Sequence, residues 1–134
     1  MPAVPGLGVV RAWAAFDLVT GLVLLTPPGA HLFLALVGAA TIPLPGSPRL
    51  DPAPLGQIGM LFCNLAGALV VLWALVRLLR PSRFLGLADV AARIAVALLI
   101  AAHVALAGLP WPILAFVLTE VGGALHQGWV LGRG

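Results

Sequence analysis

Four long apolar segments constrain the fold of this chain more than any other feature of its sequence. Each is about 20 residues long, which is the length that an α-helix needs to cross the hydrocarbon core of a bilayer. They cover residues 9–26, 57–79, 88–107 and 113–131. Only 8% of the residues are charged, whereas a soluble domain carries about 25%. The sequence therefore predicts an all-α integral membrane protein, a four-helix bundle formed by a single transmembrane domain over residues 1–134.

The connection between the first two apolar segments, residues 27–56, is much longer than the others. Its apolar part, residues 30–42, is too short to span a bilayer. We predict a short interfacial helix there, in the first outer loop, followed by a Pro- and Gly-rich loop. The sequence GLPWP between the last two spans is typical of a short turn and makes them antiparallel neighbours.

The distribution of arginine predicts the orientation of the bundle. Cationic residues in short loops favour the cytoplasmic side of a membrane. With four spans, Arg49 lies on one side, and all other arginines lie on or near the opposite side: Arg11, Arg77, Arg80, Arg83, Arg93 and Arg133. Both termini are therefore predicted to be cytoplasmic. Arg77, Arg80 and Arg83 are interpreted as topology signals that also suit binding of anionic lipid headgroups.

Each predicted span carries a polar residue among its apolar ones. In three of the four spans, helical spacing places small residues on the same face as the polar residue. Small and polar residues are those that transmembrane helices use to pack against each other, so these faces should point inward. The predicted polar core, which would also line a ligand site, consists of Asp17, Asn64, Arg93, His103, Glu120 and Gln127.

Asp17 requires an explanation because an ionised Asp at the centre of a transmembrane helix costs about 2.5 kcal/mol or more. It should be paired, protonated or beside water. Arg93 is the predicted partner, with Asp89 competing for it at i,i+4 spacing. Glu120 then has no obvious cation unless His103 supplies one, and a Glu kept neutral by desolvation is the alternative.

Other chemistries find little support in the sequence. Nucleic-acid binding needs a dense basic face, and the chain has none. Three dispersed His and a single Cys lack metal-ligand spacing. We therefore predict no catalytic residue, no metal and no cofactor. The polar residues then either hold the helices together or line a small cavity for a proton, a quinone-like headgroup or an apolar ligand.

A first span, RAWAAFDLVTGLVLLTP, is followed by a half-buried segment. The next span is LFCNLAGALVVLWALVRLLRP, and two closely joined spans come after it. This arrangement resembles that of small bacterial DoxX-like membrane proteins. The resemblance covers most of the chain, in architecture and helix spacing. It implies a multi-pass four-helix bundle in the bacterial inner membrane, often linked to redox or quinone-associated partners, and it carries over no catalytic residue. A similarity to four-helix sterol-isomerase-like proteins would imply ligand binding among the same polar faces.

The sequence favours a protein that binds a small apolar or quinone-like ligand in its polar-lined interior or acts as an accessory protein. It also favours a protein that is not an enzyme. One alternative is a non-catalytic structural subunit of a larger membrane complex. Another is a membrane enzyme or proton-coupled carrier that uses Glu120. The expected partners are the lipid bilayer, a small apolar ligand, and a membrane protein or a second copy of this chain; nucleic acid is not expected.

Overall fold

A computed structural model of the chain describes residues 6–40, 45–48 and 56–133. In this part of the chain all regular secondary structure is helical. The helices are α1 (Leu7–Leu24), α2 (Pro27–Ala40), α3 (Gln57–Leu79), α4 (Arg83–Ala107) and α5 (Leu114–Gly132), with a 3₁₀ turn (Trp111–Ile113) directly before α5. All but α2 are long and apolar enough to cross a membrane. The predicted all-α four-helix fold is confirmed. The four long apolar helices indicate a multi-pass membrane protein.

The boundary between α1 and α2 differs from the prediction. The sequence predicts a first span that runs to Thr26, but α1 ends at Leu24 and Pro27 already opens α2. A proline fits the first position of a helix because its missing N–H would have no partner there. The hydroxyl oxygen of Thr26 accepts a hydrogen bond from the backbone N–H of Gly29 at 3.4 Å and helps to start the helix. The predicted end of the interfacial helix at residue 42, like Arg49, lies outside the described residues.

α4 begins five residues earlier than the predicted residue 88, because a helix cap lies just before Arg83. The hydroxyl oxygen of Ser82 accepts a hydrogen bond from the backbone N–H of Leu85 at 3.1 Å, which satisfies one of the free donors in the first turn. At its other end α4 stops at Gly108, whose φ of +70° is a left-handed conformation that suits glycine. The short turn predicted between the last two spans is confirmed.

The bundle consists of two antiparallel helix pairs, α1 with α3 and α4 with α5. α1 and α3 come closest at Gly67, where an added Cβ would lie 2.6 Å from the backbone carbonyl carbon of Leu24. α1 and α4 run in one direction, and α3 and α5 in the other. Gly6 therefore lies beside Val130 and Leu131. We call this end of the bundle, which also holds the α3–α4 connection, the inner end, and the end with the α4–α5 turn the outer end.

The outside of the bundle is apolar, whereas its interior contains small and charged residues. Large side chains such as Phe84, Leu106 and Leu118 are between 74% and 88% exposed. Such a surface suits a hydrocarbon environment. The buried set includes small alanines and, unusually, charged and amide side chains: Arg77, Asp89, Arg93 and Gln127. Charged groups are almost never fully buried unless they are paired, so the interior directs attention to their partners.

Candidate functional site

Four charged side chains form a closed ring of ion pairs inside the bundle. Oδ2 of Asp17 on α1 lies 2.7 Å from Nη2 of Arg77 on α3 and 2.6 Å from Nη2 of Arg93 on α4. Oδ2 of Asp89 on α4 lies 2.7 Å from Nη1 of Arg77 and 3.1 Å from Nε of Arg93. We call Asp17, Arg77, Asp89 and Arg93 the charge ring. Its two positive and two negative charges cancel.

Glu120 on α5 is attached to the outside of the charge ring. Nη1 of Arg93 donates a hydrogen bond to Oε2 of Glu120 at 3.0 Å. Within the described residues, no other side chain pairs with Glu120 or forms a hydrogen bond to it. Its side chain is 22% exposed, compared with 0% for Arg77 and 3% for Asp89. With every carboxyl ionised, the ring and Glu120 together carry one surplus negative charge.

Two tryptophan rings pack against the arginines of the charge ring. The guanidinium carbon of Arg93 lies 4.7 Å from the ring centroid of Trp13, and that of Arg77 lies 5.4 Å from the centroid of Trp73. These are cation–π distances. The indole N–H of Trp73 also donates to Oδ1 of Asp89 at 3.0 Å. The aromatic rings therefore shield the cations and supply a further donor to a buried carboxylate.

The charge ring connects the two helix pairs. The contact between Asp17 and Arg77 lies within the α1–α3 pair. The contact of Arg77 with Asp89 and that of Arg93 with Asp17 each join one pair to the other. A guanidinium group presents five donors in a planar fork and can serve several carboxylates at once. Nη1 of Arg77 lacks hydrogen-bond geometry toward any described acceptor, so its short contact with Asp89 is a purely electrostatic one.

The predicted ion pair between Asp17 and Arg93 is confirmed, and so is the competition from Asp89 for the same arginine. The expectation that Glu120 lacks a cation other than His103 is wrong, because Arg93 reaches Glu120 as well. The His103 side chain is exposed, and its Nδ1 lies 2.9 Å from the backbone carbonyl oxygen of Leu99 in the same helix. His103 is therefore not part of the cluster.

Asn64 and Gln127 also lie away from the charge ring, near opposite ends of the bundle. Nδ2 of Asn64 donates to the backbone carbonyl oxygen of Leu24 at 2.8 Å and links α3 to the end of α1. Nε2 of Gln127 donates to the carbonyl oxygen of Gly86 at 2.6 Å and links α5 to α4 near the inner end. The six predicted core residues thus do not line one common space.

The interpretation of Arg77 as a lipid-headgroup residue is wrong. Its side chain is fully buried and belongs to the charge ring, so it cannot reach the membrane surface. Arg80 and Arg83 are exposed at the inner end, where a role toward lipid headgroups stays a prediction. Spacing in the sequence indicates Asp89 only as a competitor for Arg93. Nothing in the sequence indicates the role of Trp73 or the contact of Trp13 with Arg93.

An apolar pocket of about 290 Å³ lies between α2 and the start of α5. The rings of Phe33 and Phe116 meet there, with their centroids 6.1 Å apart. The pocket lies near the outer end, away from the charge ring, and no charged side chain lines it. Its lining consists of Phe33, Leu36, Val37, Pro112, Ile113, Ala115 and Phe116.

The site has a limited range of chemistry. Among residues 6–40, 45–48 and 56–133, no group of three or more His, Cys, Asp or Glu side chains is placed to hold a metal ion. The charge ring can hold helices together, Glu120 can take up or release a proton, and the pocket can accept an apolar group.

No family model, no curated protein and no solved structure matches the chain.

Proposed function

We propose that this membrane protein binds one small apolar molecule in the pocket between α2 and α5, near the outer end of the bundle. The observation that carries the proposal is the pocket of about 290 Å³ with its wholly apolar lining. Ligand pockets in proteins are lined mainly by apolar and aromatic side chains, and they often lie between helices. We keep the ligand-binding role expected from the sequence, but we place the ligand in the apolar pocket and not in the polar core.

The size of the pocket limits the ligand. An engineered cavity of about 150 Å³ binds benzene, and pockets for drug-sized ligands begin at about 300 Å³. The pocket of about 290 Å³ therefore suits a single ring or a short hydrocarbon segment. The occupant we propose is the apolar part of a quinone-like molecule. Trp111 beside the pocket is 44% exposed and suits the interfacial depth at which a polar headgroup would lie.

In this proposal the charge ring supports binding from a distance. It fastens α1 and α3 to α4, the helix against which α5 packs, and α2 follows α1 directly along the chain. The charge ring thereby fixes the position of α2 relative to the start of α5, which are the two sides of the pocket. The protein then acts as a binding or accessory protein of the bacterial inner membrane, with both termini in the cytoplasm, as the exposed arginines Arg11, Arg80, Arg83 and Arg133 at the inner end favour.

The test is photolabelling in lipid vesicles with an alkyl probe that carries a diazirine. We expect labelling of Phe33 and Phe116 peptides that saturates and is displaced by a short-chain benzoquinone. Ala115→Trp fills the pocket and should abolish the saturable labelling. The control is Leu118→Trp, which places the same indole ring on α5 at a side chain that is 74% exposed and should leave labelling unchanged.

Labelling that never saturates, or that is equal in the two tryptophan variants, would contradict the proposal, because ordinary contact with lipid gives that result. Native mass spectrometry of the wild type, extracted gently from its own membrane, addresses the main alternative. A retained protein partner without a small molecule would favour a non-catalytic subunit of a larger complex.

A further inference from the structure

The charge count around Glu120 has a chemical consequence. The charge ring is neutral without Glu120, since Arg77 and Arg93 balance Asp17 and Asp89. An ionised Glu120 would leave a net negative charge inside a bundle whose outer surface is apolar. A lone carboxylate within a membrane span costs about 2.5 kcal/mol or more. One proton on any of the three carboxyls removes that charge.

The geometry selects Glu120 as the carboxyl that holds the proton. Asp17 contacts both arginines, and Asp89 contacts both arginines and the indole N–H of Trp73. Glu120 has a single partner among the described residues, Arg93. Hydrogen bonds to the ionised form of a carboxyl favour that form. The carboxyl with the fewest such bonds is therefore the easiest to protonate.

We propose that Glu120 is protonated in the folded protein at neutral pH and that this proton exchanges with water, so that the cluster is a binding site for a single proton. The proton binds Oε1, because Oε2 accepts the hydrogen bond from Nη1 of Arg93. Glu120 is also the least buried of the three carboxyls, since its side chain is 22% exposed and those of Asp17 and Asp89 are 17% and 3% exposed. The site is separate from the apolar pocket and independent of a ligand there.

The groups around Glu120 that carry charge or titrate come from every long helix. α1 contributes Asp17, α3 contributes Arg77, and α4 contributes Asp89 and Arg93. On α5 itself His126 lies further toward the inner end, where it contacts Trp13. His31 on α2 is exposed. The arginines stay charged at all accessible pH values, so changes in proton binding near neutral pH fall on Glu120 or on a histidine.

Infrared spectroscopy in detergent or lipid nanodiscs tests the proposal. We expect the wild type at neutral pH to show the carbonyl band of a protonated carboxylic acid, and this band should shift in D₂O. Glu120→Gln should lose the band and keep the fold, because an amide imitates a neutral carboxyl. His126→Gln is the matched control on the same helix and should keep the band.

A third variant separates proton binding from a purely structural role. Asp17→Asn leaves two arginines and one aspartate in the ring, so an ionised Glu120 would now balance the charge. We expect the carbonyl band to disappear in Asp17→Asn although Glu120 is present. If this variant does not fold, the comparison of the wild type with Glu120→Gln still decides the question. A wild type without the band, a band that does not shift in D₂O, or a band that survives Glu120→Gln overturns the proposal.

The pH dependence of unfolding gives a second readout. A proton that the folded state holds and the unfolded state releases makes stability fall as pH rises, by up to tenfold in the unfolding equilibrium constant per pH unit. We expect this slope from about pH 5, where an unfolded Glu carboxyl is already ionised, up to neutral pH in the wild type and in His126→Gln, and it should vanish at a pH high enough to remove the proton from the folded protein. It should be absent in Glu120→Gln, and an equal slope in that variant would count against the assignment.

Discussion

Nη2 of Arg93 lies 2.6 Å from Oδ2 of Asp17, although 76 residues separate the two along the chain. The contact joins α4 to α1, which belong to different antiparallel pairs. The same guanidinium also contacts Asp89 and Glu120. Arg93 is therefore the residue on which most of the cluster depends, and its side chain is only 4% exposed.

Replacement of Arg93 by Met should strongly destabilise the protein. Three carboxyls lose a cation, and removal of one partner from a buried ion pair costs about 3–5 kcal/mol. Arg83→Met is the matched control, because Arg83 is exposed at the start of α4, and it should change stability by less than about 0.5 kcal/mol. Unfolding of both variants by SDS in mixed micelles measures the difference. Similar losses in the two would show that the ring contributes little.

Replacement of Gly67 by Ala should separate α1 from α3. The new Cβ would lie 2.6 Å from the backbone of Leu24 and Leu25, and overpacking of this kind costs about 1–3 kcal/mol. Gly122→Ala serves as the control, since a Cβ at that position meets nothing within 4 Å. It should be neutral or slightly stabilising, because Ala is the better helix former. Thermal unfolding in detergent followed by circular dichroism distinguishes the two outcomes.

Replacement of Asn64 by Leu should weaken the outer end of the bundle. The Asn64 amide bonds the carbonyl oxygen of Leu24, which lies in the last turn of α1 and has no partner within that helix. Interhelical hydrogen bonds in membranes contribute about 0.6–2 kcal/mol, and the loss should be of that size. His103→Leu should have no measurable effect, because the His103 side chain is exposed and its polar contact within the described residues is to Leu99 of the same helix. A larger loss for His103→Leu than for Asn64→Leu would contradict this description of the two residues.

Reporters at the two ends of the chain test the orientation. The exposed arginines at the inner end predict that a reporter fluorescent only in the cytoplasm is active at both termini. A reporter active only outside the cytoplasm should be silent at both. Activity of the second reporter at either terminus would rule out the four-span orientation.

Part of the cluster could be predicted from local spacing. Asp89 and Arg93 lie one helical turn apart, and a deep Asp17 needs a cation. The sequence predicts a place at the membrane surface for Arg77, because Arg80 and Arg83 follow it closely. Spacing along α3 held a further signal, since Gly67, Ala74 and Arg77 fall on one helical face and all three are buried. On that face Gly67 meets the end of α1, and Arg77 reaches Asp17 of α1 and Asp89 of α4. Arg80, by contrast, already ends the helix.

The pairing of Glu120 and the apolar pocket had no comparable signal. Arg93 pairs with three carboxylates because helix packing brings Asp17 of α1 and Glu120 of α5 to the same guanidinium. Spacing within a single helix does not reveal this. The pocket forms where α2 meets the start of α5, two segments far apart in the sequence. Its lining residues resemble the apolar residues that face lipid elsewhere in the chain, so composition did not distinguish them.

The charge ring has a consequence for the order in which the helices enter the membrane during synthesis. α1 contributes one negative charge to the ring and α3 one positive charge, so these two ring charges are balanced as soon as α3 is inserted. α4 brings its own balanced pair. Once α3 is inserted, the ring charges can therefore be balanced at each stage up to α4, before the ring closes and contacts form between the two helix pairs. α5 enters last with a carboxyl for which no ring charge is left over, so its insertion, like that of α1 before α3, favours uptake of a proton.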